Sequence, residues 1–198
     1  MAEFILGVSL GQASEFSAIC VLEQSAIESG EERPRNRYGC RFLKRWPLGT
    51  TYPTIVSEIS KWVGNPPLRD GRLILDGTVV GRPVVDLFRK GNLPVKLEPV
   101  TITGGQVEAL IHGWYQLPKH ILISGVQVLL QERRLQFARS LPETHTLVKE
   151  LHNYRLDPPK VATDFYDPRQ RQNDDLVLAL ALACWWGERR KREMTWWV

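Results

Sequence analysis

Hydrophobic and polar positions in the opening part of the chain follow the pattern of three β-strands joined by turns. Residues 4–10 are apolar on alternate positions and nearly so on the others, which is typical of a central strand buried on both faces. After a turn at residues 11–14, residues 17–22 predict a strand that returns antiparallel, and residues 38–46 predict a third strand. The polar residues 25–37 are interpreted as a mobile hairpin loop.

Beyond residue 50 the pattern changes to alternating helices and strands. Ile55, Ile59 and Trp62 repeat at helical spacing, and a Gly-Asn-Pro-Pro sequence ends that helix. The other predicted elements are strands over residues 72–76 and 94–102, and helices over residues 80–88, 124–133, 142–154 and 174–188. An antiparallel meander followed by this alternation predicts an α/β fold with a mixed sheet flanked by helices. We expect one domain over residues 1–198.

Composition narrows the class of protein. A chain of 198 residues, 43% of them hydrophobic, is long enough for one compact core. The net charge of +4 permits nucleic-acid binding without requiring it. Cys20, Cys40 and Cys184 are odd in number and far apart, so we expect buried thiols in a reducing compartment. The apolar run over residues 176–186 is about half a membrane span, so a soluble, cytoplasmic protein without membrane contact is expected.

The first candidate for chemistry is Asp76, at the end of a fully apolar predicted strand. A carboxylate there stands at the carboxyl edge of the sheet, where α/β proteins place ligands. An Asp in this position can equally cap the next helix through its free backbone N–H groups. Position alone leaves both interpretations open.

Asp174 and Asp175 form the second candidate, at the start of the last predicted helix. Acids in a first helical turn complement the helix dipole, which is a sufficient structural reason for them. This helix is apolar nearly all round, however, so it must be buried against the sheet and carry at least one carboxylate inwards. Two close carboxylates repel unless cations lie between them, which favours Mg²⁺ or Mn²⁺ and the two-ion arrangement of phosphodiester cleavage.

Both acidic sites resemble motifs of a known family. LDGTVVGRPVVD at residues 75–86 is similar to the second acidic motif in the nuclease domain of phage terminase large subunits, and NDDLVLALA at residues 173–181 is similar to the third. Four further segments are similar to the segments that connect these motifs in that family, namely residues 99–105, 117–119, 129–135 and 147–151. The likeness runs in order through essentially the whole chain.

This resemblance implies an RNase H-like fold and a metal-dependent endonuclease of phage DNA packaging. Asp76, Asp174 and Asp175 would then be the catalytic and metal-binding residues for two Mg²⁺ or Mn²⁺ ions, with Asp175 matching the family's final acid. The implied partners are double-stranded DNA and a separate packaging motor or portal protein. No G-x-x-x-x-G-K-[ST] segment is found, so we expect no packaging ATPase in this chain.

The sequence departs from the family at two acidic motifs. The opening strand reads GVSLGQ where the family has a Gly-Val-Asp-Leu-Gly-Gln-like run, so Ser9 replaces the first acid. A hydroxyl carries no charge and is a poor ligand for a hard divalent ion. Asn173 stands where the family often has His. Glu15, in the following turn, is a partial substitute for the lost acid or simply a solvated turn residue.

Several cations are candidates for DNA phosphate contact. Lys119 follows Leu117-Pro118 at a family-like position, and Arg82 stands at a predicted helix start. In the tail, Arg189, Arg190, Lys191 and Arg192 precede two tryptophans, a combination suited to phosphate contact and base stacking. Ordinary solvated cations explain all of these positions as well. Asp86, Asp164, Asp167 and the four histidines are expected to be surface or partly packed residues.

Three functions remain open at this stage. The first is a two-metal DNA endonuclease weakened by Ser9. The second is a catalytically degenerate RNase H-like module that binds DNA or a partner. The third is a junction-resolvase-like nuclease acting on another nucleic-acid shape. Ser9 favours the second, whereas the retained Asp76 and the Asp174-Asp175 pair favour the first, because the fold alone would not need both acidic sites.

Overall fold

A computed structural model describes residues 3–12, 14–27, 35–138, 140–153 and 174–193. The side chains of residues 153 and 190–193 are outside that description. The described part contains eight strands and five helices, in the order β1 Glu3–Ser9, β2 Ser17–Ile27, β3 Arg35–Trp46, α1 Tyr52–Val63, β4 Arg72–Asp76, α2 Gly81–Lys90, β5 Lys96–Thr103, β6 Ala109–Ile111, β7 Trp114–Pro118, α3 Lys119–Gln131, β8 Leu135–Phe137, α4 Thr144–Asn153 and α5 Asp175–Glu193.

The strands form a single mixed sheet in the order β6-β7-β5-β4-β1-β2-β3-β8. β1, β2 and β3 pair antiparallel, whereas β4, β5 and β7 run parallel to β1. Three antiparallel strands followed by parallel ones confirm the predicted RNase H-like arrangement. At one edge of the sheet β6 pairs antiparallel with β7, and at the other edge β8 pairs parallel with β3.

Several boundaries differ from the sequence-based expectation. β2 extends to Ile27 and β3 begins at Arg35, so residues 25–27 and 35–37 of the predicted hairpin loop are strand, and residues 28–34 lie outside the described residues. α3 begins at Lys119 rather than at residue 124. The short strands β6, β7 and β8 were not predicted. Their two or three core-facing positions are too few for a detectable period, and pairing with neighbouring strands defines them.

Two hydrophobic cores lie on the two faces of the sheet. Strand alternation divides β1 between them, with Ile5 on one face and Leu6 and Val8 on the other. The Ile5 face is covered by α3, α4 and α5, and all three cysteines are buried in that core. The Leu6 face is covered by α1 and α2. Burial raises the pKa of Cys20 and Cys184, so these thiols stay protonated at neutral pH.

Helix α5 crosses β1 at very short range. Residues 175–187 are all buried, which explains why this helix is apolar nearly all round. A Cβ atom added to Gly7 would lie 2.0 Å from the carbonyl oxygen of Ala179 and 2.9 Å from the amide nitrogen of Ala183. Only a glycine permits this approach, so Gly7 fixes where the helix crosses the sheet.

The far end of α5 is fixed by a polar cluster. The Tyr38 hydroxyl donates to Glu188 at 2.7 Å, and the Arg134 guanidinium donates two bonds to the same carboxylate at 2.8 and 3.0 Å. Burial, and then the bond to Glu188, raise the pKa of Tyr38, so the phenol remains a donor. A bidentate arginine restrains the orientation of the helix end as well as its distance from the sheet.

Replacing Gly7 by alanine should destabilise the protein by about 3 kcal/mol or more, because the new methyl group meets helix backbone that has no rotamer in which to move away. Gly125→Ala is the matched control, since a Cβ at that position of α3 has no atom within 4 Å. That change should be neutral or stabilising by up to about 1 kcal/mol. Urea unfolding of both variants measures the difference, and equal midpoints would contradict the tight crossing.

Candidate active site

Ser9 and Asp76 are neighbours at the carboxyl ends of two parallel central strands. Val8 pairs with Leu75, so Ser9 and Asp76 form the next pair along β1 and β4. Both side chains point to the α5 face, the face of Ile74 and Gly7, and they are 0% and 1% exposed. The residue that replaces the family's first acid therefore lies beside the second acid.

The carboxylate of Asp76 is held by the loop that follows it. The Thr78 amide donates to Asp76 Oδ1 at 2.9 Å, and the Thr78 hydroxyl donates to the same oxygen. That hydroxyl also accepts from the amide of Ile102 at 2.7 Å, which connects the loop to β5. Thr78 thus fixes the rotamer of Asp76 and attaches it to the sheet.

Asp174 and Asp175 reach the same edge through the crossing of α5. Asp175 lies one helical turn before Ala179, which is packed over Gly7. Asp175 is also 4.0 Å from Arg45 of β3, and the register places Arg45 level with Ala18 and hence with Ser9. Asp174 and Asp175 are 6% and 3% exposed. The acids from both sequence motifs therefore share one face and one edge of the sheet.

Glu150 of α4 is a buried acid that binds the start of α5. Its Oε2 atom accepts from the amides of Leu176 and Val177 at 3.1 and 3.2 Å, two of the N–H groups that a helix leaves unpaired at its start. Its other oxygen forms an ion pair with Arg45, whose guanidinium packs over the Phe16 ring at 4.6 Å. Arg45 is therefore shared between Glu150 and Asp175.

Lys119 lies on the other side of the acids. Its ammonium nitrogen donates to Asp174 Oδ2 at 2.9 Å from the start of α3. Oδ1 of Asp174 is buried and has no hydrogen-bond partner among the described residues. The candidate phosphate contact of the sequence is thus within the site, where it already neutralises one carboxylate.

The edge carries four carboxylates, Asp76, Glu150, Asp174 and Asp175, against two cations, Arg45 and Lys119. In the described part of the chain, no group of three or more Asp, Glu, His or Cys side chains is arranged to hold a metal ion. The reason is that Asp174 is turned towards Lys119, while Arg45 lies against Glu150 and Asp175.

The buried hydroxyl of Ser9 has no hydrogen-bond partner among the described residues. It supplies an oxygen but no charge at the position where a third carboxylate would stand. The residues present therefore do not fit the two-ion centre implied by the resemblance. They do fit one divalent cation, because Asp76 and Asp175 offer two hard oxygen ligands at one edge.

Several other sequence candidates lie away from this edge. Arg189 pairs with Glu108 at 2.8 Å and packs over Tyr115 at 4.3 Å. At 14 residues beyond Asp175, it lies about 21 Å further along the helix. Its charge is paired and its planar face packs on the protein, so the structure does not bring Arg189 together with the acids.

The remaining acids near the first turn and in α2 have local partners. Glu15 accepts from the amide of Gln12 at 3.3 Å, within its own turn, and Asp86 pairs with Arg89 at 3.1 Å on the surface. Arg82 is exposed at the start of α2. The sequence also led to expectations for residues that lie outside the described residues or side chains: Asp164, Asp167, Asn173, Arg190, Lys191, Arg192, Trp196 and Trp197.

Three residues of the site were not singled out from the sequence: Arg45, Thr78 and Glu150. Thr78 and Glu150 stand inside segments that resemble the terminase family, but nothing in their spacing indicates a contact with α5 or Asp76. Arg45 reads as an outward polar position in an alternating strand. Only the packing of α4 against α5 turns it into a partner of buried acids.

Comparisons with known proteins bear on the whole fold. No family model matches the chain, and no curated protein matches it. Among solved structures, the large terminase nuclease from thermophilic phage G20c with bound zinc matches with a TM-score of 0.56 and 19% identity, covering 92% of this chain and 80% of that one. The manganese-soaked terminase nuclease domain of human cytomegalovirus matches with a TM-score of 0.59 and 9% identity, covering 96% and 85%.

The chain has the terminase nuclease fold. At 9–19% identity the likeness establishes the fold, which agrees with the resemblance that the two acidic motifs carry. In this terminase nuclease fold the four acids of the edge occupy the carboxyl ends of the central strands, where α/β proteins bind ligands. Among the described residues, no helix is both long and apolar enough to cross a membrane.

Replacing Glu150 by glutamine should destabilise the protein by about 3 kcal/mol, because Arg45 keeps a buried charge that has lost its main partner. The glutamine carbonyl can still accept from the amides at the start of α5, so the loss of stability measures the removal of the carboxylate charge alone. Glu143→Gln, at a partly exposed position just before α4, is the control and should change stability by less than about 0.5 kcal/mol. Similar losses in the two variants, measured by urea unfolding, would show that the Arg45 pair contributes nothing specific.

Proposed function

We propose that this chain acts on double-stranded DNA as a terminase-type nuclease domain, and that its cleavage is slow because Ser9 replaces a carboxylate. The observation that supports the proposal is that Ser9 and Asp76 lie side by side beneath the start of α5. The position of a third carboxylate is retained, buried and level with two other acids. Burying Asp76, Asp174 and Asp175 together costs free energy, and the binding of a cation at this edge is one physical reason for their arrangement.

The proposed cofactor is a divalent cation, Mg²⁺ or Mn²⁺, held by Asp76 and Asp175. The neighbours with bound zinc and soaked manganese support the use of a divalent ion in this fold. When bound, such an ion would polarise a phosphate oxygen and stabilise the charge that develops during hydrolysis. Manganese is expected to support more activity than magnesium, because Mg²⁺ demands near-ideal octahedral geometry.

The protein's own residues prepare the site for a phosphodiester. Thr78 fixes Asp76, while Glu150 and Arg45 fix the start of α5 and with it Asp175. Lys119 can turn from Asp174 to a DNA phosphate, since its own side chain is 26% exposed whereas that of Asp174 is 8% exposed. By this proposal the partners are double-stranded DNA and a separate packaging motor or portal protein in the host cytoplasm.

A second function is favoured by a specific observation. Arg45 and Lys119 already neutralise part of the acidic charge, and among the described residues no group of three acids is arranged to hold a metal ion. A domain arranged in this way can bind DNA or a partner without cutting. The two proposals differ in whether the protein cleaves DNA at all. They also differ in how a carboxylate placed at position 9 changes cleavage.

Replacing Ser9 by aspartate should raise manganese-supported nicking of supercoiled plasmid by about two orders of magnitude. The new carboxylate would act as an additional ligand for the cation, and loss of a residue that supports a metal site typically costs about 10–100-fold in metal affinity or activity. Ser9→Asn is the matched control, with the same size and no charge, and should leave the rate at the wild-type level. Asp76→Asn or Asp175→Asn in the Ser9→Asp background should abolish the gain.

The outcomes separate the two functions. Slow wild-type nicking that EDTA stops, together with a rise in Ser9→Asp, supports the weakened nuclease. A folded Ser9→Asp variant that nicks no faster than Ser9→Asn would show that the missing acid is not the limiting part. The binding module would then replace the nuclease as the proposed function.

Metal binding gives a readout that does not depend on cleavage. In EDTA, Ser9→Asp should unfold at a lower temperature than wild type, because the new carboxylate repels Asp76 in a buried position. Manganese should raise the melting temperature of Ser9→Asp by several degrees and that of wild type much less, since ligand binding stabilises the folded state by mass action. Equal shifts in the two proteins would mean that residue 9 takes no part in binding the ion.

A further inference from the structure

A cleft of about 560 Å³ lies between α2 and the β6-β7 hairpin, on the side of Asp76 away from α5. We call it the α2 cleft and define it by its lining residues, Arg82, Asp86, Arg89, His112 and Trp114. Arg82, Asp86 and Arg89 recur at helical spacing and therefore share one exposed face of α2. None of them serves the hydrophobic core, so the cleft is available for a ligand.

We propose that the α2 cleft binds the sugar–phosphate backbone of double-stranded DNA next to the edge that holds Asp76. The inference deepens the proposed function and rests on it, since it names the surface that would hold the DNA beside that edge. Three features of the cleft favour DNA, namely its charge, its position beside Asp76 and the tight turn of its outer wall.

The charge of the cleft favours an anion. Asp86 pairs with Arg89 at 3.1 Å, while Arg82 makes no ion pair with any described residue. The side chains of Arg89 and Asp86 are 52% and 51% exposed, so that pair is weak and can exchange for a phosphate. Guanidinium groups match phosphate geometry with two parallel N–H bonds, and a single solvated carboxylate does not cancel two of them.

The cleft adjoins the acidic edge, and Gly77 and Trp114 lie between the two. Gly77 directly follows Asp76, and a Cβ placed on it would lie 2.5 Å from the Trp114 ring. The indole therefore lies against the backbone of the Asp76 loop and forms the wall between the two surfaces. Arg82 and Arg89 are about 10 Å apart along α2, enough for about three nucleotides at an axial rise of 3.4 Å each. A DNA strand over Asp76 can thus continue into the cleft.

The outer wall of the cleft is a β-hairpin with a tight turn. His112 and Gly113 form a two-residue turn between β6 and β7, with φ of 50° and 78°. Positive φ at both positions is the requirement of a type I′ turn, whose twist matches that of the flanking strands. Trp114 anchors this turn to the core on the α1–α2 face. His112 is therefore held over the cleft in advance of binding, where its ring N–H can donate to a phosphate.

The test is DNA binding in EDTA, where cleavage cannot interfere. Arg82→Gln/Arg89→Gln is compared with Arg69→Gln/Lys96→Gln, which removes the same charge from exposed residues at the opposite, amino end of β4 and β5. Fluorescence anisotropy with a duplex oligonucleotide measures the dissociation constant across a salt series. Each lost phosphate contact should reduce the salt slope by about 0.9 and weaken binding about eightfold at 0.1 M salt.

The cleft variant should therefore bind about 60-fold more weakly than wild type, with a slope lower by about 1.8, and the control should change little. Equal losses in both double variants would overturn the inference, because they would reflect net charge alone. Millimolar inorganic phosphate should not displace the duplex from wild type. If inorganic phosphate raises the melting temperature of wild type but not of the cleft variant, while both proteins bind duplex equally well, the cleft binds a free phosphate instead of DNA.

The inference and the proposed function can fail separately. If Ser9→Asp nicks plasmid while the cleft variant binds duplex as well as the control does, the nuclease proposal stands and the cleft proposal is wrong. If Ser9→Asp does not nick but the cleft variant alone loses DNA binding, the cleft proposal stands and the domain is a binding module. If wild-type protein binds no duplex at low salt, the cleft proposal is overturned whatever the nicking result.

Discussion

The close approach of α5 to β1 at Gly7 determines where almost every other part of the site lies. A helix backbone can come this near to a strand only where no side chain stands between them, and the carbonyl of Ala179 occupies the volume that a Cβ would need. Because the helix axis is fixed there, its first turn is fixed over the carboxyl ends of β1 and β4. Asp174 and Asp175 are positioned by packing more than 100 residues away in sequence, and no local interaction of their own would place them beside Asp76.

Fixing a helix start among buried acids creates an electrostatic problem that this protein solves with its own cations. Arg45 lies between Glu150 and Asp175, and Lys119 binds Asp174. Glu150 in turn accepts from two amides at the start of α5, so one carboxylate serves both the guanidinium and the helix dipole. These bonds orient the acids when no metal is bound. They also mean that a metal ion competes with a guanidinium and an ammonium for its ligands.

The parts of the fold that the sequence predicted are those with a strong periodic signal. β4 was predicted at its observed bounds, and α5 was predicted as a buried helix, because both are nearly continuous apolar runs. The edge of the sheet that holds Asp76 follows from the rule that ligands lie at the carboxyl ends of parallel strands. The β6-β7 hairpin was missed because a three-residue strand has no period, so neither the α2 cleft nor Trp114 could be assigned. Arg45 was missed because its partners come from α4 and α5, and strand alternation says nothing about them.

A serine in place of a carboxylate at position 9 has opposite effects on the stability of the metal-free protein and on its capacity to bind a metal ion. Neighbouring strands lie about 4.8 Å apart, and two carboxylates at that spacing repel by roughly 3 kcal/mol at an effective dielectric of about 20. That is a large fraction of the 5–15 kcal/mol by which a domain is typically stable. An aspartate at position 9 would therefore make the folded state itself depend on cations that lie between it and Asp76. With Ser9 the repulsion is absent, and Arg45 and Lys119 suffice to hold the remaining acids. A serine at position 9 thus allows the domain to stay folded whether or not an ion is present.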